Sequence, residues 1–292
     1  MPDFESGPVD LPWSTPAWLL FNGVNVEHLA RTLYSCKSGI DPQPVFLLTR
    51  FKELLDKSPM LVAIEGRFDP LYELFLKHIW HDWGLLLFSE SPMQDILAHL
   101  RWLLFVDEPG RKPTYLNLSD PIVANALYGL HPQHTDDRLF GPIEQVHAAD
   151  VIHACWRRHV RQGPPPLAQK QPLYGLNTMQ LQALGESNLN IMVIELEKHM
   201  RQFFTDYLPY ASLPERYQHL HGLASQAYAQ GFTTEMDIFH YANVSHFLST
   251  QPTDAHADIR QLLTTTSPLT HSQRVQQANW LAVERSHAGA SS

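Results

Sequence analysis

The chain has 292 residues, 44% of them hydrophobic and 17% charged, so it can bury a sizeable core as one large domain or two modest ones and is not a disordered protein. Its formal charge of -9 argues against broad nucleic-acid binding, which needs Lys and Arg clustered against phosphate. Two cysteines, Cys36 and Cys155, stand far apart with no C-x-x-C pair, which suggests no disulfide framework and a reduced compartment. Met1-Pro2-Asp3-Phe4-Glu5 puts no basic stretch ahead of an apolar core, and no run approaches about 18 apolar residues, so a cytoplasmic protein without a membrane span is expected.

Residues 1–16 are proline-rich and read as an arm. Ala17 to Phe21 is a buried strand closed by Asn22-Gly23, and Val26 to Lys37 follows as a helix with Leu29, Leu33 and Tyr34 on one face. Pro44 to Leu48 is a short extended run, Phe51 to Lys57 is helical, and Met60 to Ile64 is a strand. Asp69 caps a helix whose first residue is Pro70, because an Asp oxygen takes a free amide hydrogen and proline loses nothing there. Leu71, Leu74, Phe75 and Ile79 form its inward stripe. Gly84 to Phe88 is the next strand. Ser91-Pro92-Met93-Gln94 reads as a capping box for a helix with Ile96, Leu97, Leu100 and Leu104 inward. Lys112 to Leu118 is a strand, Asp120-Pro121 opens a helix with Val123, Ala124 and Leu127 inward, and Phe140 to Val146 enters another strand.

Interleaved strands and helices predict a mixed sheet covered by helices. Gly163-Pro164-Pro165-Pro166 continues neither a helix nor a central strand and marks a boundary. Beyond it, Asn177 with Gln180 opens a long helix to about Leu208, striped by Met192, Leu196, Met200, Phe203 and Tyr207. Ser212 with Glu215 caps a second helix, which Gly231 ends. Thr233 or Thr234 starts a third, running through Met236, Phe239, Tyr241, Val244 and Leu248. Residues 254–264 and 271–285 suit two more. The expected class is α+β: an α/β lobe over 1–162, a Pro-rich linker over 163–172 and an all-helical lobe over 173–292.

The residues offer little chemistry. Of the 17 histidines, His78 and His81 share a helix face beside Asp82, but no third ligand or His-Glu-x-x-His pattern accompanies them. His131-x-x-His134-x-Asp136 suits a polar turn, and His219 and His221 diverge. Gly-x-Ser-x-Gly, Walker and dinucleotide patterns are absent. Cys155 and His153 would share a strand face but lack an orienting group. No catalytic residue, metal or cofactor is assigned. Residues 151–172 hold four bases, Arg157, Arg158, Arg161 and Lys170, and no acid: either a solvated face or a partner-binding patch. Trp80 and Trp83 either pack a helix on the sheet or anchor a partner. Tyr228, Phe232, Phe239, Tyr241 and Phe247 are either core or a groove for an apolar peptide.

Three landmarks recur in order: Trp80-x-x-Trp83-Gly84 running into Leu85-Leu86-Leu87, then Asp120-Pro121, then Phe140-Gly141-Pro142-Ile143. With Ser91-Pro92 and His99-Leu100-Arg101 between them, the series over roughly 17–150 resembles the N-terminal domain of type VI secretion effector chaperones, or adaptors. Leu176 to Leu208 and Gly231 to Asp237 look like their helical lobe. One departure is Leu116-Asn117-Leu118-Ser119, where that family often has an Arg before Asp-Pro. The resemblance implies a non-enzymatic cytoplasmic protein of a Gram-negative bacterium that binds a cognate toxic effector and loads it onto a VgrG-type spike. On that reading Arg157, Arg158, Arg161 and the aromatics Tyr228, Phe232, Phe239 and Tyr241 are the candidate partner contacts. The alternatives are a metal-dependent hydrolase using the histidines and a structural assembly component.

Overall fold

A computed structural model describes residues 4–166, 173–252, 255–265 and 268–290, with the side chains of 288–290 left aside. Residues 167–172 of the expected linker, with Lys170, lie outside the described residues, as do Ser291 and Ser292. The chain folds as two compact units, Met1–Ser187 and Asn188–Ser292.

In chain order the first unit holds β1 (Ala17–Phe21), α1 (Leu29–Cys36), β2 (Gln43–Pro44), β3 (Met60–Ile64), α2 (Pro70–Lys77), β4 (Gly84–Phe88) and α3 (Met93–Leu103). It continues through β5 (Phe105–Asp107), β6 (Thr114–Tyr115), α4 (Pro121–Tyr128), α5 (Asp137–Phe140), β7 (Gln145–Asp150), β8 (Cys155–Val160) and β9 (Tyr174–Gly175). Six strands form one sheet in the order β2-β3-β1-β4-β7-β8, and β6-β5-β9 form a small second one. The α+β class is borne out, but the large sheet is antiparallel throughout rather than mixed. Parallel pairing occurs between β5 and β9, where Val106 faces Tyr174.

Pattern and layering agree. β1 and β4 are apolar at every position because both sheet faces are covered, whereas β8, which ends the sheet, has no fully buried position and carries Arg157 and Arg158 exposed at its middle. Trp18, Leu20, Leu85, Leu87, Val146 and Ala148 face one core with Ile96, Leu97 and Leu100 of α3 and Ala124, Leu127 and Tyr128 of α4. On the opposite face Phe21 meets Phe75 of α2 at 6.0 Å, and Phe88 meets Trp13 of the arm at 5.7 Å.

Several local expectations fail for identifiable reasons. α1 begins at Leu29 rather than Val26, because Asn22 Oδ1 accepts the amide of Val24 and holds the entry as a turn. Tyr34 then points outward, 55% exposed. The capping box at Ser91 does not form: Pro92 stands at the cap, and Ser89 Oγ organises the entry by accepting Ser91 N and donating to Pro142 O at 2.7 Å. Phe140 ends α5 instead of opening a strand; Gly141 turns the chain at φ +56, and a Cβ there would collide with the His99 ring.

The second unit is helical: most of α6 (Thr178–Phe203), then α7 (Leu213–Ala229), α8 (Glu235–Ser249), α9 (Ala257–Thr264) and α10 (His271–Ala290). The expected caps are present. Asn177 and Gln180 bond each other's backbone amides reciprocally, Glu215 accepts from Ser212 N at 2.7 Å, and Thr234 Oγ1 accepts from Asp237 N. The stripe on α6 differs from its expected form. Glu197 is buried against Arg216 at 2.7 Å, and the helix stops at Phe203, leaving that ring 63% exposed. Met236, at the start of α8, is likewise 59% exposed.

Candidate partner-binding surfaces

The basic segment lies on and just after β8, and its three arginines have different roles. Arg157 is exposed and pairs across the hairpin with Asp150 at 3.0 Å. Arg158, on the other face, donates to Gln145 Oε1 at 3.2 Å and is also exposed. Arg161 is spent on backbone: it donates to the carbonyls of Gly141 at 2.6 Å, Gly163 at 3.0 Å and Ile143 at 3.2 Å, tying the Phe140-Gly141-Pro142 corner to the end of the strand. Arg161→Ala is therefore expected to cost about 2 kcal/mol by leaving these carbonyls without their donor. Arg157→Ala, a surface pair, should cost under about 1 kcal/mol. Urea unfolding of the two variants separates them.

Trp80 and Trp83 have separate tasks. Trp83 is buried and lies flat on His78, 3.9 Å between centroids at 6°. Trp80 is half-buried and covers the arm: Phe4 sits edge-on to it at 4.7 Å, and its indole N–H donates to Glu5 Oε1 at 2.8 Å. Trp156 of β8 closes the other side, donating to Phe4 O at 3.0 Å and packing against Phe75 at 6.2 Å. Nothing local in the sequence marks the arm as a partner of residues so distant in the chain.

In the helical unit the aromatic candidates do not make one surface. Phe232 is fully buried, 5.7 Å from Tyr241, which is also buried. Phe239 is half-buried against His199 at 5.0 Å, and Tyr228 alone of the four is largely exposed, at 59%. The groove this unit does present has a volume of about 510 Å³ and is lined by Phe203, Phe204, Phe247, Val283, His246 and Arg285, among others. Phe203 reaches it because α6 ends there, a boundary the continuing apolar spacing concealed. Arg285 holds Asp258 in a two-pronged pair at 2.9 and 2.6 Å, which keeps that carboxyl down at about 2.

The histidines are placed as structural groups. The stack on Trp83 occupies the His78 ring, and its pKa is lowered first by burial and then by His81 and Lys77. Burial holds His99 neutral, at about 4, while its Nε2 donates to Leu139 O. His153 lies in the β7–β8 turn rather than on a strand, with Nδ1 2.9 Å from Asp150. Burial raises the pKa of the Cys155 thiol, against the pull of Arg157. Among the described residues no group of three or more His, Cys, Asp or Glu side chains is placed to hold a metal ion.

Residues 17–137 match the family described as "Domain of unknown function (DUF4123)". The chain is 27% identical over 281 residues to "Accessory protein VasW" of Vibrio cholerae serotype O1 (strain ATCC 39315 / El Tor Inaba N16961), an alignment covering 93% of this chain and 89% of that protein. No solved structure matches the chain. The matches agree with the resemblance carried by Trp80-x-x-Trp83-Gly84, Asp120-Pro121 and Phe140-Gly141-Pro142, and the stretch similar to DUF4123 lies within the first unit.

Proposed function

We propose that a protein carrying a DUF4123 domain and resembling an accessory protein along nearly its whole length is itself an accessory of type VI secretion, acting as an adaptor. In this reading it binds a cognate toxic effector and loads it onto a VgrG-type spike in the cytoplasm. The observation that carries the proposal is the end-to-end likeness to VasW, since it spans both the α/β unit and the helical unit. Two features support it. Each unit offers its own exposed surface, the β8 edge on one and the aromatic groove on the other, as a protein with two partners needs. No helix among the described residues is long and apolar enough to cross a membrane, which is compatible with the cytoplasmic assignment.

The test is co-expression of the full chain with the toxin and the spike encoded beside it. An adaptor should elute with the toxin as one complex on size exclusion and bring the spike with it. A chain that elutes alone and monodisperse, with both candidates folded and present, overturns the reading.

A further inference from the structure

The arm residue Phe4 fills a socket walled by Trp80 after α2 and Trp156 on β8, with Phe75 of α2 packed against Trp156. The ring is 7% exposed, although it belongs to a short helical turn, Phe4–Ser6, and not to a strand or long helix. Recognition is directional as well as apolar. One indole N–H takes the backbone carbonyl of Phe4, and the other takes the carboxylate of Glu5. An aromatic ring, the carbonyl of the same residue and an acid immediately after it are thus read together. β8 ends the sheet, with no strand beyond it among the described residues, and Arg158 lies on the same face as Trp156, two residues on.

We propose that this socket is a peptide-binding site, held in this structure by the chain's own arm, and that its partner is an extended segment presenting an aromatic residue followed by Asp or Glu. The arm occupies it as a tethered ligand. The chain from Gly7 onward is anchored where Trp13 packs on Tyr72 at 5.3 Å, so the tether keeps Phe4 at high local concentration beside its ring contacts and the two indole hydrogen bonds. A partner segment offering the same groups would also gain the outer edge of β8 for strand addition and Arg158 for a further acid. The identity of that partner as effector or spike rests on the adaptor reading; the socket itself does not.

The experiment uses the full chain and a fluorescent synthetic peptide of residues 2–9 as the probe. The double variant Phe4→Ala, Glu5→Ala should bind the peptide saturably and at least about tenfold more tightly than the native chain, whose socket is filled. A peptide with Phe4→Ala should bind about tenfold more weakly, and adding Trp156→Ala to the protein should abolish binding with the circular dichroism unchanged. A folded double variant that binds no peptide at millimolar concentration overturns the proposal. If the double variant does not fold, Glu5→Lys alone decides: peptide affinity above that of the native chain supports the site, and equal affinity refutes it. Effector or spike should then release bound peptide. A partner that binds while the peptide stays in place refutes the socket as its site, whereas failure to co-purify with either partner strikes the adaptor reading and leaves the peptide result standing.

Discussion

Gly84→Ala is expected to destabilise the first unit by about 3 kcal/mol, the combined scale of a strained positive φ and an overpacked core. Gly84 opens β4 at φ +140, and a Cβ there would collide with the carbonyl oxygen of Leu20 and come within 2.9 Å of Phe21 Cα. Both obstacles are backbone of β1, paired on its other edge to β3, so no rotamer change relieves them. The same substitution at Gly222, inside α7, meets no heavy atom within 4 Å and should stabilise by up to about 1 kcal/mol, since alanine is the better helix former. Opposite shifts of the urea midpoint for one chemical change are the expected result. Equal shifts would show that the close approach of β1 to β4 does not govern this position.

Two Asp-Pro caps that look alike in sequence are expected to differ in their response to acid. Asp69 and Asp120 each accept the amide two residues on, from Leu71 at 2.9 Å and Ile122 at 2.8 Å. Burial opposes the charge on Asp69, but Lys37 at 2.8 Å and the amides of Glu65 and Leu71 outweigh it and hold the carboxyl below its ordinary value. Among the described residues no such cation acts on Asp120, and burial prevails over its amide bonds and raises the carboxyl. A depressed folded pKa gives stability that is present above the unfolded value of 3.8 and lost as pH falls through the folded one. A raised pKa gives stability that is present below 3.8 and lost as pH rises through the folded value. At pH 7, Asp69→Asn should therefore cost about 2 kcal/mol and flatten the acid limb of the stability curve. Asp120→Asn keeps a capping oxygen without the buried charge and should be neutral or stabilising by up to about 1 kcal/mol. Thermal melts across pH 3 to 7 check both.

That contrast marks the limit of what the residues disclose in order. Asp69-Pro70, Asp120-Pro121, the Asn177–Gln180 pair and Ser212–Glu215 are legible because each cap is completed within a few residues. The strands at 17–21, 60–64 and 84–88 are legible because covering on both faces demands unbroken apolar runs. What sets Asp69 apart is Lys37, 32 residues away. The surface candidates fail in the same manner. Phe232 and Tyr228 carry similar rings, and only helix packing buries one and exposes the other. The socket escapes entirely, since Trp156 and Phe4 are separated by 152 positions and neither belongs to a periodic pattern that implies the other. Arg161 reads as part of a charge cluster, yet its three carbonyl partners make it a brace.

The central place of β1 has a kinetic consequence. The strand that every other part of the large sheet is built around is synthesised first, and its partners Met60–Ile64 and Gly84–Phe88 emerge much later. Until then Ala17-Trp18-Leu19-Leu20-Phe21 is a naked apolar segment with both edges open, the kind of sequence that pairs with copies of itself. Closure of this sheet depends on contacts between residues far apart in the chain, so the nascent protein passes through an interval in which it must be kept from its neighbours.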